Sequence, residues 1–255
     1  MSIIKCKIAD FNLAIETDIK TFSKIMQNYL ADFKKEDVVI KISDNDIALE
    51  RAMMESDLEV KYETTYKLSA IHRKIGDWLP SNNSFVLHSA CFDVDGVGVA
   101  FAAHSGTGKT THMNLWQQLL GDKMTVVNGD KPIVRFFDGE PNIAYAYGSP
   151  WMGKERLGGN MRTKLKHICF IERSETNYVT KMNKSSVTER LIKQVYMPKD
   201  PVALINTMAL VDRLLSCCDF WIIHCNMEPE AAEVAYNTII NGNTSVETSI
   251  HDCSN

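Results

Sequence analysis

The stretch VGVAFAAHSGTGKTTHMNLWQQLLGDKMTVVNGD, residues 97 to 130, decides the fold class. VGVAFAA is a continuous apolar run, the pattern of a strand covered on both faces. HMNLWQQLL follows with helical periodicity and closes at Gly121, and MTVVN reads as a second buried strand running into Gly129 and Asp130. The order strand, glycine loop, helix, strand is α/β. Within it, AHSGTGKT at 103 to 110 matches GxxxxGK[ST] at every defined position except the first, where Ala103 replaces glycine. Ser105, Gly106 and Gly108 let the backbone curl, so that N–H groups from Ser105 through Thr107 to Thr111 converge on phosphate oxygens at the positive end of the helix. Lys109 adds a point charge for terminal phosphates, and Thr110 a hydroxyl for a magnesium ion. The alternative is a glycine turn that happens to precede Lys-Thr. The buried strand before it and the amphipathic helix after it are the context that phosphate binding requires.

Working outward, SFVLHSACFDVDG (84–96) alternates and turns at Asp95-Gly96, which predicts a hairpin with the strand that enters the loop. IVRFFDGEPNIAYAYG (133–148) predicts another hairpin, turning at Asp138-Gly139. KHICFIER and FWIIHC read as strands; SVTERLIKQVYM, PVALINTMALVDRLLSCC and EPEAAEVAYNTII read as helices. Towards the N-terminus, IIKCKIADFNLAI, DVVIKIS and DIALERAM read as short alternating segments, with a helix at TFSKIMQNYLADF. A further helix, YETTYKLSAIHRKIGDWL, places Tyr66, Ile71, Ile75 and Trp78 at helical intervals and stops at Pro80 before SNNS. That loop marks a boundary between a small α+β subdomain, 1–80, and a loop-bearing domain, 81–255.

Composition sets the limits. With 255 residues and 45% hydrophobic residues the chain can build a sizeable core, and a net charge of -4 argues against a nucleic-acid binder relying on overall basicity. Its apolar runs are too short to span a bilayer, and charges interrupt the start MSIIKCKIADFNL, unlike a secretory signal. The expectation is a soluble cytoplasmic protein with no nucleic-acid or membrane partner. Seven cysteines (Cys6, Cys91, Cys169, Cys217, Cys218, Cys225 and Cys253) are scattered without CxxC spacing, so they read as reduced and mostly core residues.

The loop has company upstream. The hairpin VLHSACFDVDGVGVAF places His88 twenty-one positions before Lys109, and this arrangement resembles the HPr kinase/phosphorylase family, where a histidine-bearing strand and a DxxGxG turn precede an SGxGKS loop. SGTGKTT also resembles the phosphoenolpyruvate carboxykinases, which share that fold. The resemblance covers roughly residues 84 to 135. It implies a mixed sheet of the HPr kinase C-terminal-domain and carboxykinase type with a P-loop, plus the small N-terminal unit. It further implies an ATP- and Mg2+-dependent kinase acting on a hydroxyl of a small molecule, peptide or protein, in a family whose members are often homo-oligomers.

Carried over residue by residue, His88 falls on the histidine that assists the catalytic acid, and Lys109 and Thr110 on the nucleotide and metal positions. The paired aspartates after the next strand correspond to Gly129 and Asp130, so the first carboxylate is missing. Either Asp130 binds magnesium while His88 handles the acceptor proton, or Asp130 is the base and the metal rests on phosphates and Thr110. A turn aspartate and a satisfied strand histidine are the bland alternatives.

Positive charge over the transferring group has candidates in GSPWMGKERLGGNMR (148–162), a glycine-rich segment carrying Lys154, Glu155, Arg156 and Arg162, with Trp151 packing beneath. KERLGG is loosely similar to the family's glycine- and arginine-containing signature, which makes Arg156 a candidate. Arg135 and Asn160 are weaker candidates; Arg190 with Lys193 reads as a surface pair, His72 with Arg73 and Lys74 as a polar helix face, and Tyr145 with Tyr147 as one side of a strand. The competing function is a nucleotide-binding regulator or slow ATPase with no phosphoacceptor.

Overall fold

In the computed structural model, which describes residues 2–54, 63–103 and 107–242, the first alternating segment is a hairpin of two strands, β1 (Ser2–Ile8) and β2 (Phe11–Thr17). Its two turn residues, Ala9 and Asp10, both lie at positive φ, the backbone of a tight primed turn. Their left-handed conformations are held from outside: the Arg135 guanidinium donates to Ala9 O, and Tyr147 Oη donates to Asp10 Oδ2 at 2.5 Å. A helix α1 (Phe22–Ile25) with a 3-10 turn at Gln27–Tyr29 occupies the segment expected to be one longer helix, and β3 (Val38–Lys41) runs parallel to β2.

DIALERAM is helical, correcting the expectation of an extended segment. It belongs to α2 (Asp44–Met54), because Ser43 and Asp46 cap each other's amides at 2.8 and 3.3 Å and so nucleate a helix. The same helix sets Asp46 and Glu50 one turn apart, where Arg73 of α3 (Glu63–Trp78) bonds both at 2.8 and 2.6 Å. Ile71 and Ile75 of α3 are buried, and a 3-10 turn containing Pro80 ends the helix.

SFVLHSACFDVDG does not form one strand. It splits into β4 (Ser84–Val86) and β5 (Ala90–Val94), with Leu87–Ser89 between them. The hairpin partner β6 (Val97–Ala102) leads to α4 (Lys109–Leu120) and β7 (Met124–Asn128), then the hairpin β8 (Ile133–Phe137) and β9 (Glu140–Tyr147). The long strand β10 (Arg162–Arg173), β11 (Tyr178–Lys181), α5 (Lys184–Ile192), α6 (Pro201–Cys217), β12 (Asp219–Cys225) and α7 (Glu230–Ile239) complete the order.

The large sheet is mixed, ordered β4-β8-β9-β10-β6-β5-β7, with β12 pairing both β10 and β11. Because β4 and β5 are three residues apart in sequence yet near opposite ends of that order, the sheet must curl. The crossing backbone is pinned on the way: Leu87 N donates to Pro132 O, His88 N to Gln194 O at 2.7 Å, and Ser89 N to Asp130 O at 2.9 Å.

Both faces of the sheet are covered, and β6 shows why its sequence lacks alternation. Ala100 and Ala102 pack with Val187, Leu191, Leu210 and Leu214 of α5 and α6, while Val99 and Phe101 face Trp116 of α4 and Ala231 and Ala235 of α7. A third cluster joins the N-terminal strands and α3 to Ile133, Tyr145 and Tyr147 of the large sheet. Cys6, Cys91, Cys169 and Cys225 are free and buried; Cys253 lies outside the described residues. Among the described residues no helix is long and apolar enough to cross a membrane.

Two buried histidines make the fold acid-sensitive. His112 Nε2 accepts from Trp116 Nε1, and His167 Nδ1 from Trp221 Nε1, both at 3.3 Å, so each ring needs an unprotonated nitrogen. Burial pushes both imidazoles down to about 4. The neutral form is favoured in the fold, so this stability is complete above the unfolded value of about 6.5 and drains away as the pH falls towards 4. Urea denaturation at pH 7 and pH 5 should show a loss of about 2 kcal/mol per histidine, and replacing either by a neutral isostere should flatten the dependence.

Candidate functional site

Asp130 follows β7, and its position is set by a residue with no exposed surface. Asn128 Oδ1 accepts from the amides of Asp130 and Lys131 at 2.9 and 2.7 Å, while its Nδ2 donates to Ser149 O at 2.9 Å. Ser149 Oγ in turn donates to Lys131 O at 2.6 Å. Each side-chain group of this turn thus has a backbone partner, which fixes the direction of the following carboxylate.

His88 meets that carboxylate at 3.2 Å, Nε2 to Asp130 Oδ1, and the Ser89–Asp130 backbone bond ties the same two segments together. Lys131 Nζ lies 3.8 Å from the other carboxylate oxygen. Burial alone would raise the Asp130 carboxyl, but the His88 hydrogen bond and the charges of Lys131, His88 and Lys109 hold it below the usual range. Asp130 is therefore an anion at neutral pH.

Lys109 opens α4, and its Nζ donates to Ala103 O at 2.7 Å across the loop. Burial lowers its ammonium and the Asp130 carboxylate opposes that, so the two groups feel each other's charge. Gly108 precedes the helix at φ +121, a conformation side chains rarely adopt, and its carbonyl accepts the first helical bond from His112 N at 2.9 Å. Thr110 is partly exposed and Thr111 exposed. Ser105 and Gly106 lie outside the described residues. Thr107 and Ala103 border a cavity of about 670 Å³ whose other side is formed by Arg190 and Lys193. The pair is at the surface, as expected, and also borders this cavity, with Arg190 bound to Glu172 and Lys193 to Glu189.

Gly129, where the resemblance leads one to expect a first acid, is tightly packed. A Cβ there would sit 3.0 Å from Met152 O and 3.3 Å from Leu157 O, and its amide donates to Leu157 O at 2.9 Å.

The segment 148–159 lies across the end of β7, through the Asn128–Gly158 bridge. It brings Trp151, Gly153 and Arg156 to the rim of a cleft of about 460 Å³ that Asp130 and Lys131 also line. Arg156 sits there at φ +51, a strained backbone for a branched-off side chain. Lys154 and Glu155 are exposed outside it.

Several expectations need correcting. Arg162 is a strand residue: its Nη1 donates to Tyr147 Oη at 2.7 Å and pairs with Asp10, which takes it away from the loop. Arg135 lies 3.7 Å over the Phe11 ring and holds the hairpin turn. Asn160 donates to Lys7 O at 3.3 Å. His72 is no solvated face: its ring meets Trp151 at 4.4 Å and its Nε2 is buried without a hydrogen-bond partner among the described residues. Sequence reasoning missed Asn128, Ser149 and Tyr29. The Asn-Gly-Asp run at a strand end is a turn signal that points to Asn128; Ser149 and Tyr29 reach the site only through tertiary packing.

Oxygen donors suit magnesium, and Thr110 and Asp130 offer a hydroxyl and an ionised carboxylate. No group of three His, Cys, Asp or Glu side chains among the described residues could hold a metal unaided. A metal here would depend on phosphate oxygens as well.

No family model matches the chain, and no curated protein matches it by sequence. The solved HPr(Ser) kinase/phosphatase from Coxiella burnetii superposes with a TM-score of 0.28 and 11% identity, over 51% of this chain and 90% of that one. A superposition this loose carries no weight for fold or function.

Proposed function

We propose that this chain transfers the terminal phosphoryl group of ATP to a hydroxyl acceptor. One observation supports this above the others: a carboxylate bonded by His88 at 3.2 Å and charge-coupled to the lysine that opens α4. Phosphoryl transfer needs positioned positive charge more than covalent chemistry from the protein. Ser105 to Thr111 hold the triphosphate, Lys109 faces the terminal phosphates, and Arg156 adds charge from the 148–159 segment. Magnesium, when bound, would offset charge on the phosphate oxygens, and Thr110 and Asp130 would hold it.

In the reaction the acceptor oxygen bonds to the γ-phosphorus, the bridging P–O bond breaks, and ADP leaves with that electron pair. The hydroxyl proton goes to His88 Nδ1, since Nε2 is engaged with Asp130; a carboxylate held below its usual range is better suited to orient a base than to be one. Asp130→Asn should cut transfer about a thousandfold while changing nucleotide affinity by no more than about threefold at saturating magnesium. Equal losses in both would reduce Asp130 to a metal-binding residue.

Incubation with γ-labelled ATP and magnesium against hydroxyl-bearing metabolites and a cell extract tests the whole reading. Label on an acceptor supports it. Label released only as phosphate supports the second reading, a nucleotide-binding regulator or slow ATPase, which the packed Gly129 favours.

A further inference from the structure

We propose that the cleft between α1 with its 3-10 turn and the 148–159 segment binds a small organic anion that carries the acceptor hydroxyl; the role of that hydroxyl rests on the kinase reading. Lys24, Lys131 and Arg156 line the cleft against one carboxylate, Asp130. Lys24 and Arg156 are exposed and have no acidic partner among the described residues. Three cations around one anion leave a net positive site that a carboxylate or phosphate ester would neutralise.

Independent features point the same way. Tyr29 lines the cleft and is 1% exposed, yet its hydroxyl is buried with no hydrogen-bond partner among the described residues, a cost that a ligand oxygen reaching it would remove. Arg156 keeps its charge at the rim from a left-handed backbone, the kind of strain that persists at binding positions. At about 460 Å³ the cleft suits a small molecule, and Trp151 supplies an apolar wall. Asp130 is part of the lining, so a hydroxyl on the bound anion would lie beside the His88–Asp130 pair.

The test separates this site from the phosphate loop by using full-length Lys109→Ala protein. Calorimetric titration with D-glycerate, glycerol 3-phosphate and glycerol compares a carboxylate, a phosphate ester and a neutral triol. Binding by either anion and none by glycerol is expected, the tighter anion naming the charged group. Adding Lys24→Ala and Arg156→Gly should weaken that binding at least tenfold. The glycine relieves the positive φ, so a purely structural role for Arg156 would leave affinity unchanged or improved. Failure of both anions to bind, equal binding of glycerol, or affinities within twofold after the substitutions would overturn the proposal. In the wild-type chain, anion binding together with label from γ-labelled ATP that reaches neither the anion nor any acceptor of the extract would refute the kinase reading and leave the anion site standing.

Discussion

Lys109→Ala should lower phosphoryl transfer by at least about a thousandfold while the chain stays folded. The ammonium is the one cation at the start of α4, is partly withdrawn from water, and is coupled to Asp130. A charge in such surroundings acts on a transferring phosphoryl group with little screening, and no reorganisation is needed at the moment of reaction. Its structural role is smaller: a single charged hydrogen bond to Ala103 O at 2.7 Å, worth about 2 kcal/mol. Single-turnover measurements with γ-labelled ATP, alongside urea denaturation, separate the two effects. Transfer within about tenfold of wild type would remove the loop from the chemistry.

Gly148→Ala is expected to be the most damaging small substitution in the 148–159 segment. An added Cβ would lie 1.7 Å from Gly159 O and 2.8 Å from Val127 O, and both obstacles are backbone. Neither can rotate aside. Gly148 N is bonded to Met161 O at 2.8 Å and Gly159 N to Val127 O at 3.2 Å, so relief requires the segment to lift from β7. Overpacking of this severity should cost about 3 kcal/mol or more, and it would disturb the Ser149–Asn128 bonds that aim Asp130. Gly139→Ala is the control, because nothing lies within 4 Å of its Cβ position. Equal urea midpoints for the two variants would show that the close approach is relieved cheaply.

What the sequence discloses and what it hides divide along the range of the interactions involved. The unbroken apolar run of β6, the closing Gly121 of α4 and the Asp95-Gly96 and Asp138-Gly139 turns are local signals, and each element lies where its residues predict. DIALERAM misleads because alternation over eight residues competes with a capping pair of which only Asp46 lies in the window and Ser43 precedes it. The break at Leu87–Ser89 is invisible locally, since its partners are Pro132, Asp130 and Gln194. For the candidate site, His88, Lys109, Asp130 and Arg156 stand out by type and spacing; His88 and Lys109 act on the Asp130 carboxylate, and Arg156 lines the same cleft as Asp130. Tyr29, Lys24 and Ser149 carry no such mark. Only the docking of the N-terminal elements and the close glycine contacts bring them there.

The three-residue passage between β4 and β5 also has a kinetic meaning. His88 N is anchored by the carbonyl of Gln194 and the next amide, Ser89 N, by that of Asp130, both far along the chain, so His88 reaches its carboxylate only after both ends of the curled sheet have met. Contacts of such high order form late, once loop closure over long separations has been overcome. The chain can therefore acquire most of its helices and hairpins before it acquires the His88–Asp130 pair.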